Sequence, residues 1–204
     1  MRVQALICGI DEAGRGPLAG PVCAAAVILH PRRRIDGLDD SKKLSENQRD
    51  ALAPEIRAKA RAWAIGWASA AEIDQLNIRQ ANFLAMRRAF DMLRCYAAKA
   101  IVDGNDPPDL PCAVKTIIGG DAIEPAISAA SILAKTARDA YMVRLCARYP
   151  GYSFSKHKGY GVPLHMAALR ALGPTPQHRR SFAPVREAAA RFAAAADQPA
   201  VIAV

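Results

Sequence analysis

An apolar run, Val3 to Ile10, stops at two adjacent carboxylates, Asp11 and Glu12, and the glycine-rich turn Ala13-Gly14-Arg15-Gly16 follows at once. This junction constrains the fold more than any other stretch. The run reads as a β-strand, and the acids then sit at its exit, beside backbone with no side chains to hold a phosphate away. Two later apolar runs also finish beside an acid, at Val102-Asp103-Gly104 and, after Cys112 to Ile118, at Gly119-Gly120-Asp121. Working groups in open α/β sheets gather at strand ends, so Asp11, Glu12, Asp103 and Asp121 are predicted to converge on one edge. Carboxylates so placed repel one another unless cations lie among them. Their hard oxygens suit two Mg²⁺ or Mn²⁺ ions roughly 3.5–4 Å apart, one activating a water and one stabilising a 3′-oxygen leaving group. Gly14-Arg15-Gly16 is too short for a dinucleotide fingerprint, which disfavours a Rossmann fold with a bound nucleotide.

The rest of the chain alternates strands with helices. Pro21 to Leu29 reads as a second strand, joined to the first through a connection short enough for an antiparallel hairpin. Ser45 and Gln48 fit a capping box, predicting a helix to Ala60. Trp63 to Ala68 reads as a third strand, with both tryptophans on one face and at least half-buried. Ala71 to Ala97 reads as helical with a break near Asn77. Ala100–Asp103 and Cys112–Ile118 read as strands, and Pro125 to Tyr149 as a long helix. A polar, aromatic loop leads to Tyr160. Helices follow over Pro163–Leu172 and Val185–Ala196, with Asp197–Val204 a frayed tail. This order predicts an α/β fold: a mixed sheet with helices on its faces and a helical C-terminal portion. Residues 1–187 are expected to form a single catalytic domain, of which about 150–187 make one wall of a substrate groove, and 188–204 the end of the last helix and the tail.

The net charge of +9 and pI near 9.6 fit a nucleic-acid partner. The five cysteines stand singly, with no C-x-x-C pair, so neither a disulfide frame nor a zinc site is expected. No run of 18 apolar residues spans a membrane, and the N-terminus has no signal-peptide pattern. A cytoplasmic monomer is the expectation. Asp197–Val204 lacks an aromatic anchor for a replication clamp, so that partner has no support in the sequence.

Several spaced blocks resemble the ribonuclease HII family: Asp11 to Val22, Gly37 to Ser45, Glu72-Ile73-Asp74 with Asn77-Ile78, Val102 to Asn105, and Gly120-Asp121. The resemblance continues through Ile127 to Lys135 with Arg138-Asp139, Tyr149-Pro150, Phe154, His157 to Gly161, His165-Met166 and His178 to Val185. It implies an RNase H-like fold with a five-stranded mixed sheet flanked by helices. It also implies hydrolysis on the 5′ side of ribonucleotides in RNA/DNA hybrids and in ribonucleotide-containing duplex DNA, leaving 3′-OH and 5′-phosphate ends. The family's four carboxylates match Asp11, Glu12, Asp103 and Asp121. Its element for sensing the ribose 2′-OH matches Gly14, Arg15 and Gly16, and its sugar-packing tyrosine matches Tyr160. Gly119 departs from a common lysine, and Asp39 from a common asparagine.

Substrate contacts are expected from the cations Lys42, Lys43, Lys135, Arg138 and Lys158, which can neutralise phosphates. Ser131 and Lys135 share a helix face at i, i+4 spacing. Ser41, Asn77 and His157 complete the candidate set, with ordering of the Lys156–Tyr160 loop the other reading of His157. His178 reads as a structural bond more than a proton donor. A resolvase- or transposase-like DNA nuclease on the same fold and a non-catalytic hybrid-binding protein are the alternatives to the ribonuclease.

Overall fold

The computed structural model describes residues 6–196. Strands β1 (Ile7–Ala13), β2 (Val22–Ile28), β3 (Ala62–Ala68), β4 (Lys99–Asp103) and β5 (Ala113–Ile117) form one sheet in the order β3-β2-β1-β4-β5. The first three strands run antiparallel to their neighbours, and β4 and β5 are added in parallel. The sheet is therefore mixed, as expected. The short turn after β1 permits only the hairpin, whereas β4 is reached through the helices that follow β3, and β5 through the loop of residues 104–112. Pairing of Ile10 with Val102 leaves Asp11 and Asp103 side by side, one step beyond it on adjacent strands.

Helices cover both faces. On one, α2 (Ala70–Leu76) and α3 (Ile78–Asp91) follow β3, and α3 packs Ala81, Ala85, Met86 and Ala89 onto Cys8, Ile10, Ala24 and Ala26. On the other, α1 (Glu46–Lys59) and α4 (Pro125–Arg148) cover Cys23, Ala25 and Val27. The small side chains of β2 let helices approach closely on both faces. Ser45 and Gln48 form the capping box at α1, and Asn77 breaks α2 from α3. The helix α3 ends at Asp91, six residues before Ala97, where the helical reading places its end. Trp67 lies half-buried against Tyr141, and Trp63, 38% exposed with Arg57 over its ring, is the more open of the two.

The C-terminal portion is helical as predicted, with α6 (Pro163–Leu172) and α7 (Ala183–Ala196). The stretch read as a loop instead holds a 3-10 turn, Pro150–Tyr152, and the single-turn α5 (Phe154–His157). Residues 197–204, read as a tail, lie outside the described residues, as do residues 1–5. The portion is fastened to the turn after β1 by backbone: Leu18 N–H donates to Gly159 O (2.8 Å), Arg179 N–H donates to Leu18 O (2.9 Å), and Ala19 pairs with His178. Beneath these contacts Tyr152, Phe154, His157, His165 and His178 form a buried ring cluster.

Burial first, and then the charge of His165, hold the His178 imidazole down to about 3 from its ordinary 6.5. Between these values the unfolded chain binds the proton that the native state refuses. His178 therefore contributes fully above pH ~6.5 and loses its contribution as pH falls toward 3, at a slope approaching ~1.4 kcal/mol per unit. Urea unfolding at pH 7.5 and 5 should show this loss in wild type and a smaller one in His178→Gln. Equal losses would refute the assignment.

Candidate active site

The strand β1 runs through Asp11 and Glu12 to Ala13, so the two acids lie on the strand and not after it. Side chains alternate along a strand, which sends neighbouring acids to opposite faces. Asp11 turns toward α4 and is 4% exposed. One oxygen each of Asp11, Asp103 and Asp121 lie within 4.8 Å of one another. Glu12 is not part of this trio. It faces α3, with Oε1 3.3 Å from Arg15 Nη1, and its carboxyl is pushed upward by burial first and against the lowering effect of Arg15. Three of the four predicted acids thus converge, and the fourth flanks them across the sheet edge.

Local structure fixes each acid. Pairing with Ala25 of β2 holds Asp11, and its Oδ1 accepts Glu12 N–H (2.7 Å). Asp103 Oδ1 accepts Gly120 N–H (2.8 Å), linking the end of β4 to the 3-10 turn Gly120–Ala122 that carries Asp121. Gly119 before that turn adopts φ +67° and opens onto free space, a conformation glycine takes without strain. Burial, followed by the neighbouring carboxylates, raises the Asp11 carboxyl well above its ordinary range; burial and Asp103 raise Asp121. This is the electrostatic state of an acid cluster awaiting cations. All-oxygen donors at this spacing fit divalent hard ions. Lys42 Nζ stands 3.4 Å from Asp121 Oδ2 and supplies charge on the side where Gly119 has none.

The cleft above the acids is lined by Gly14, Arg15, Gly16, Ser41, Lys42, Ser131, Lys135 and Tyr160. Ser41 Oγ and Ser131 Oγ are 2.8 Å apart and buried, joining the loop before α1 to α4. Lys135 Nζ donates to Asp139 Oδ1 (2.9 Å). Tyr160, 46% exposed, stands on the lip opposite Gly16, where an added Cβ would lie 3.6 Å from its ring.

Five candidates hold structure instead of facing the cleft as free substrate contacts. Asn77 caps α3, its Oδ1 accepting from Arg79 and Gln80 N–H. Lys43 pairs with Asp39 across 3.5 Å, which also neutralises that departure from the family pattern. Arg138 reaches the cleft wall but is 1% exposed, and its guanidinium donates to the carbonyls of Pro21, Lys158 and Ala19. His157 is buried, with Nε2 bonded to Tyr152 O and Nδ1 accepting Gly159 N–H, so it orders its loop. Lys158 Nζ turns back to Ser155 O (2.6 Å). Their charge or polarity is legible in the sequence, but it is consumed by local partners in four of them and, for Arg138, by carbonyls of distant segments.

Sequence reasoning gave no role to Arg179. It is fully buried, and its guanidinium donates to Gly20 O (3.0 Å), Arg15 O (2.8 Å) and Gly14 O (2.6 Å). Drawing these carbonyls inward fixes the shape of the turn and leaves its outer side to the cleft. Asn82 is also buried, beside Glu12 on α3. Neither carries a local signal: one sits in a basic polar stretch, the other inside a helix.

The family model for Ribonuclease HII matches residues 8–185. The chain belongs to the ribonuclease HII family. It is 61% identical over 184 residues to Ribonuclease HII of Bordetella pertussis, covering 90% of this chain and 92% of that one. Its fold matches the ribonuclease H2 of Pyrococcus horikoshii with TM-score 0.79 at 26% identity, over 92% of this chain and 99% of the other. The RNase HII in a PCNA:RNase HII complex from Archaeoglobus fulgidus matches with TM-score 0.69 at 26% identity, over 87% and 95%. As a member of that family, the protein is a metal-dependent hydrolase of phosphodiester bonds in RNA/DNA hybrids. No helix among the described residues is long and apolar enough to cross a membrane.

Proposed function

We propose that the protein cuts the phosphodiester on the 5′ side of ribonucleotides, in hybrids and at single ribonucleotides in duplex DNA, leaving 3′-OH and 5′-phosphate ends. The observation that carries this reading is the Asp11–Asp103–Asp121 cluster beneath a cleft whose opposite lips are the Gly14–Gly16 turn and Tyr160. Asp11, Asp103 and Asp121, with Glu12 as the flanking fourth carboxylate, would hold two Mg²⁺ or Mn²⁺ ions. Ions held there would supply an activated water and neutralise charge developing at phosphorus.

The other residues bind and orient. Backbone of Gly14 and Gly16 approaches the ribose, whose 2′-OH alone distinguishes RNA from DNA. Arg15, with its side chain 54% exposed, holds the adjacent strand, and Lys42 and Lys135 meet phosphates. Tyr160 packs on the following sugar and favours one without a 2′-OH. A hydrogen bond left unmade by a deoxy substrate costs about 1–3 kcal/mol, so alignment of the phosphate must supply the rest of the discrimination.

The enzyme is proposed to act as a cytoplasmic monomer; a hydrodynamic mass of twice the chain would contradict this. Residues 197–204, where a clamp motif would be sought, lie outside the described residues, and their sequence has no aromatic anchor, so a clamp is not part of the proposal. The test maps product ends from a duplex carrying one ribonucleotide. The expected result is a single cut 5′ to it with Mg²⁺ or Mn²⁺, yielding a 3′-OH, and no cut in chelator. Cleavage 3′ to the ribonucleotide, or cleavage in chelator, would refute the reading.

A further inference from the structure

The buried histidines are absorbed by no step above, yet they lie directly behind Tyr160. His178 Nδ1 is 3.0 Å from Thr175 N, and a backbone N–H can only donate. That leaves the His178 proton on Nε2, which faces His165 Nε2 at 3.0 Å. His165 Nε2 must then accept, and its own proton sits on Nδ1, 2.9 Å from Tyr160 O. The hydrogen bonds thus determine both tautomers and run in one direction, from Thr175 N–H through His178 and His165 to the Tyr160 carbonyl. His157 stacks on His165 at 4.6 Å, and Tyr152 lies 5.0 Å from His178, so the rings cannot turn freely.

The approach to Tyr160 shows why such a brace is useful. Lys158 and Gly159 both adopt positive φ, +51° and +87°, and an added Cβ at Gly159 would fall 2.6 Å from Ala19 O. Tyr160 and Gly161 themselves are exposed. The carbonyl of Tyr160 receives the inward tie from His165. At the other end, the residue after His178 is Arg179, which grips the carbonyls of Gly14 and Arg15. One dipeptide therefore braces both lips of the cleft.

We propose that His165 and His178 are positioning residues that, together with Arg179, set the gap between the Gly14–Gly16 turn and Tyr160 and thereby the selection of the ribose–deoxyribose step. This rests on the role given above to Tyr160. The relay makes two side chains separable: Asn at position 165 retains a donor near the Nδ1 position, whereas Gln reaches toward His178 and gives Tyr160 no donor.

The experiment measures kcat/KM for duplexes in which the ribonucleotide is followed by deoxyribose or by ribose, in wild type, His165→Asn, His165→Gln and Tyr160→Ala. The expected preference falls at least fivefold in His165→Gln and in Tyr160→Ala, and stays within twofold of wild type in His165→Asn. Mn²⁺ affinity of the acid cluster stays unchanged in both His165 variants. Full preference in His165→Gln alongside its loss in Tyr160→Ala would overturn the relay while leaving the tyrosine's role intact. Full preference in Tyr160→Ala would overturn both. Imidazole nitrogen NMR on the wild-type protein decides the relay without any variant or substrate: Nδ1–H on His165 and Nε2–H on His178 are expected, and the opposite tautomer on either overturns it.

Discussion

Asp11→Asn is expected to lower kcat by about 10³-fold or more and, in chelator, to raise the melting temperature. The two effects have one cause. Asp11 is buried 4% exposed among acids, and its ionised form is disfavoured by burial first and then by Glu12 and Asp103. With divalent ions present, that charge is what holds them. Losing a ligand worth about 4 kcal/mol of transition-state stabilisation corresponds to about three decades in rate. Without ions, the charge is a liability. A carboxyl whose folded value lies above its unfolded value makes the native state take up protons, so stability falls as pH rises through that range. In chelator the melting temperature of Asp11→Asn should therefore exceed that of wild type by a margin that widens as pH rises above the ordinary carboxylate range, the histidine contribution being common to both proteins. Melting curves with and without chelator check this. A variant less stable than wild type in chelator would show that Asp11 is held by favourable contacts and that the cluster is not a strained acid site.

Gly9→Ala should abolish soluble, folded enzyme or cost several kcal/mol of stability, although it adds only one methyl group. A Cβ at Gly9 would lie 2.1 Å from the Ala126 carbonyl carbon and 2.5 Å from Ile127 N. Those are backbone atoms of α4, which cannot swing aside as a side chain does, so the helix must move off the sheet and leave poorly filled space around it. The consequence reaches the site. β1 carries Asp11 and α4 carries Ser131 and Lys135, so their spacing sets the floor of the cleft. Denaturant unfolding measures the stability loss, and Mn²⁺ titration of any folded fraction measures the site. Wild-type stability in this variant would mean that α4 lies farther from β1 than described.

Local signals in the sequence had local outcomes. The Ser45–Gln48 box starts α1, Asn77 separates two helices, and Pro163 to Leu172 forms a helix with those bounds. The acids after Ile10 and Val102 mark neighbouring strands because parallel pairing of β1 and β4 leaves both at the same edge. Two kinds of feature were not legible. One depends on strand phase: extending β1 by three residues past Ile10 sends Asp11 and Glu12 to opposite faces, which separates a pair that looks like a unit in the sequence. The other depends on what distant backbone requires. Arg138 reads as a cation available to phosphate and Arg179 carries no local signal, but carbonyls around Gly14, Ala19 and Gly20 use both guanidinium groups, and both side chains are buried. His157 is occupied locally instead, its ring nitrogens serving the backbone of its own loop. Charge identifies a candidate for nucleic-acid contact; only tertiary structure tells whether that charge is free.

The most direct test of the central claim compares two duplexes identical in sequence and differing by a single 2′-hydroxyl. The proposed geometry predicts metal-dependent cleavage at the phosphodiester 5′ to the ribose in one and no measurable cleavage at that position in the other. Equal cleavage of both, or of an all-DNA junction in preference to either, would contradict it and point to a nuclease that reads duplex shape instead of the sugar.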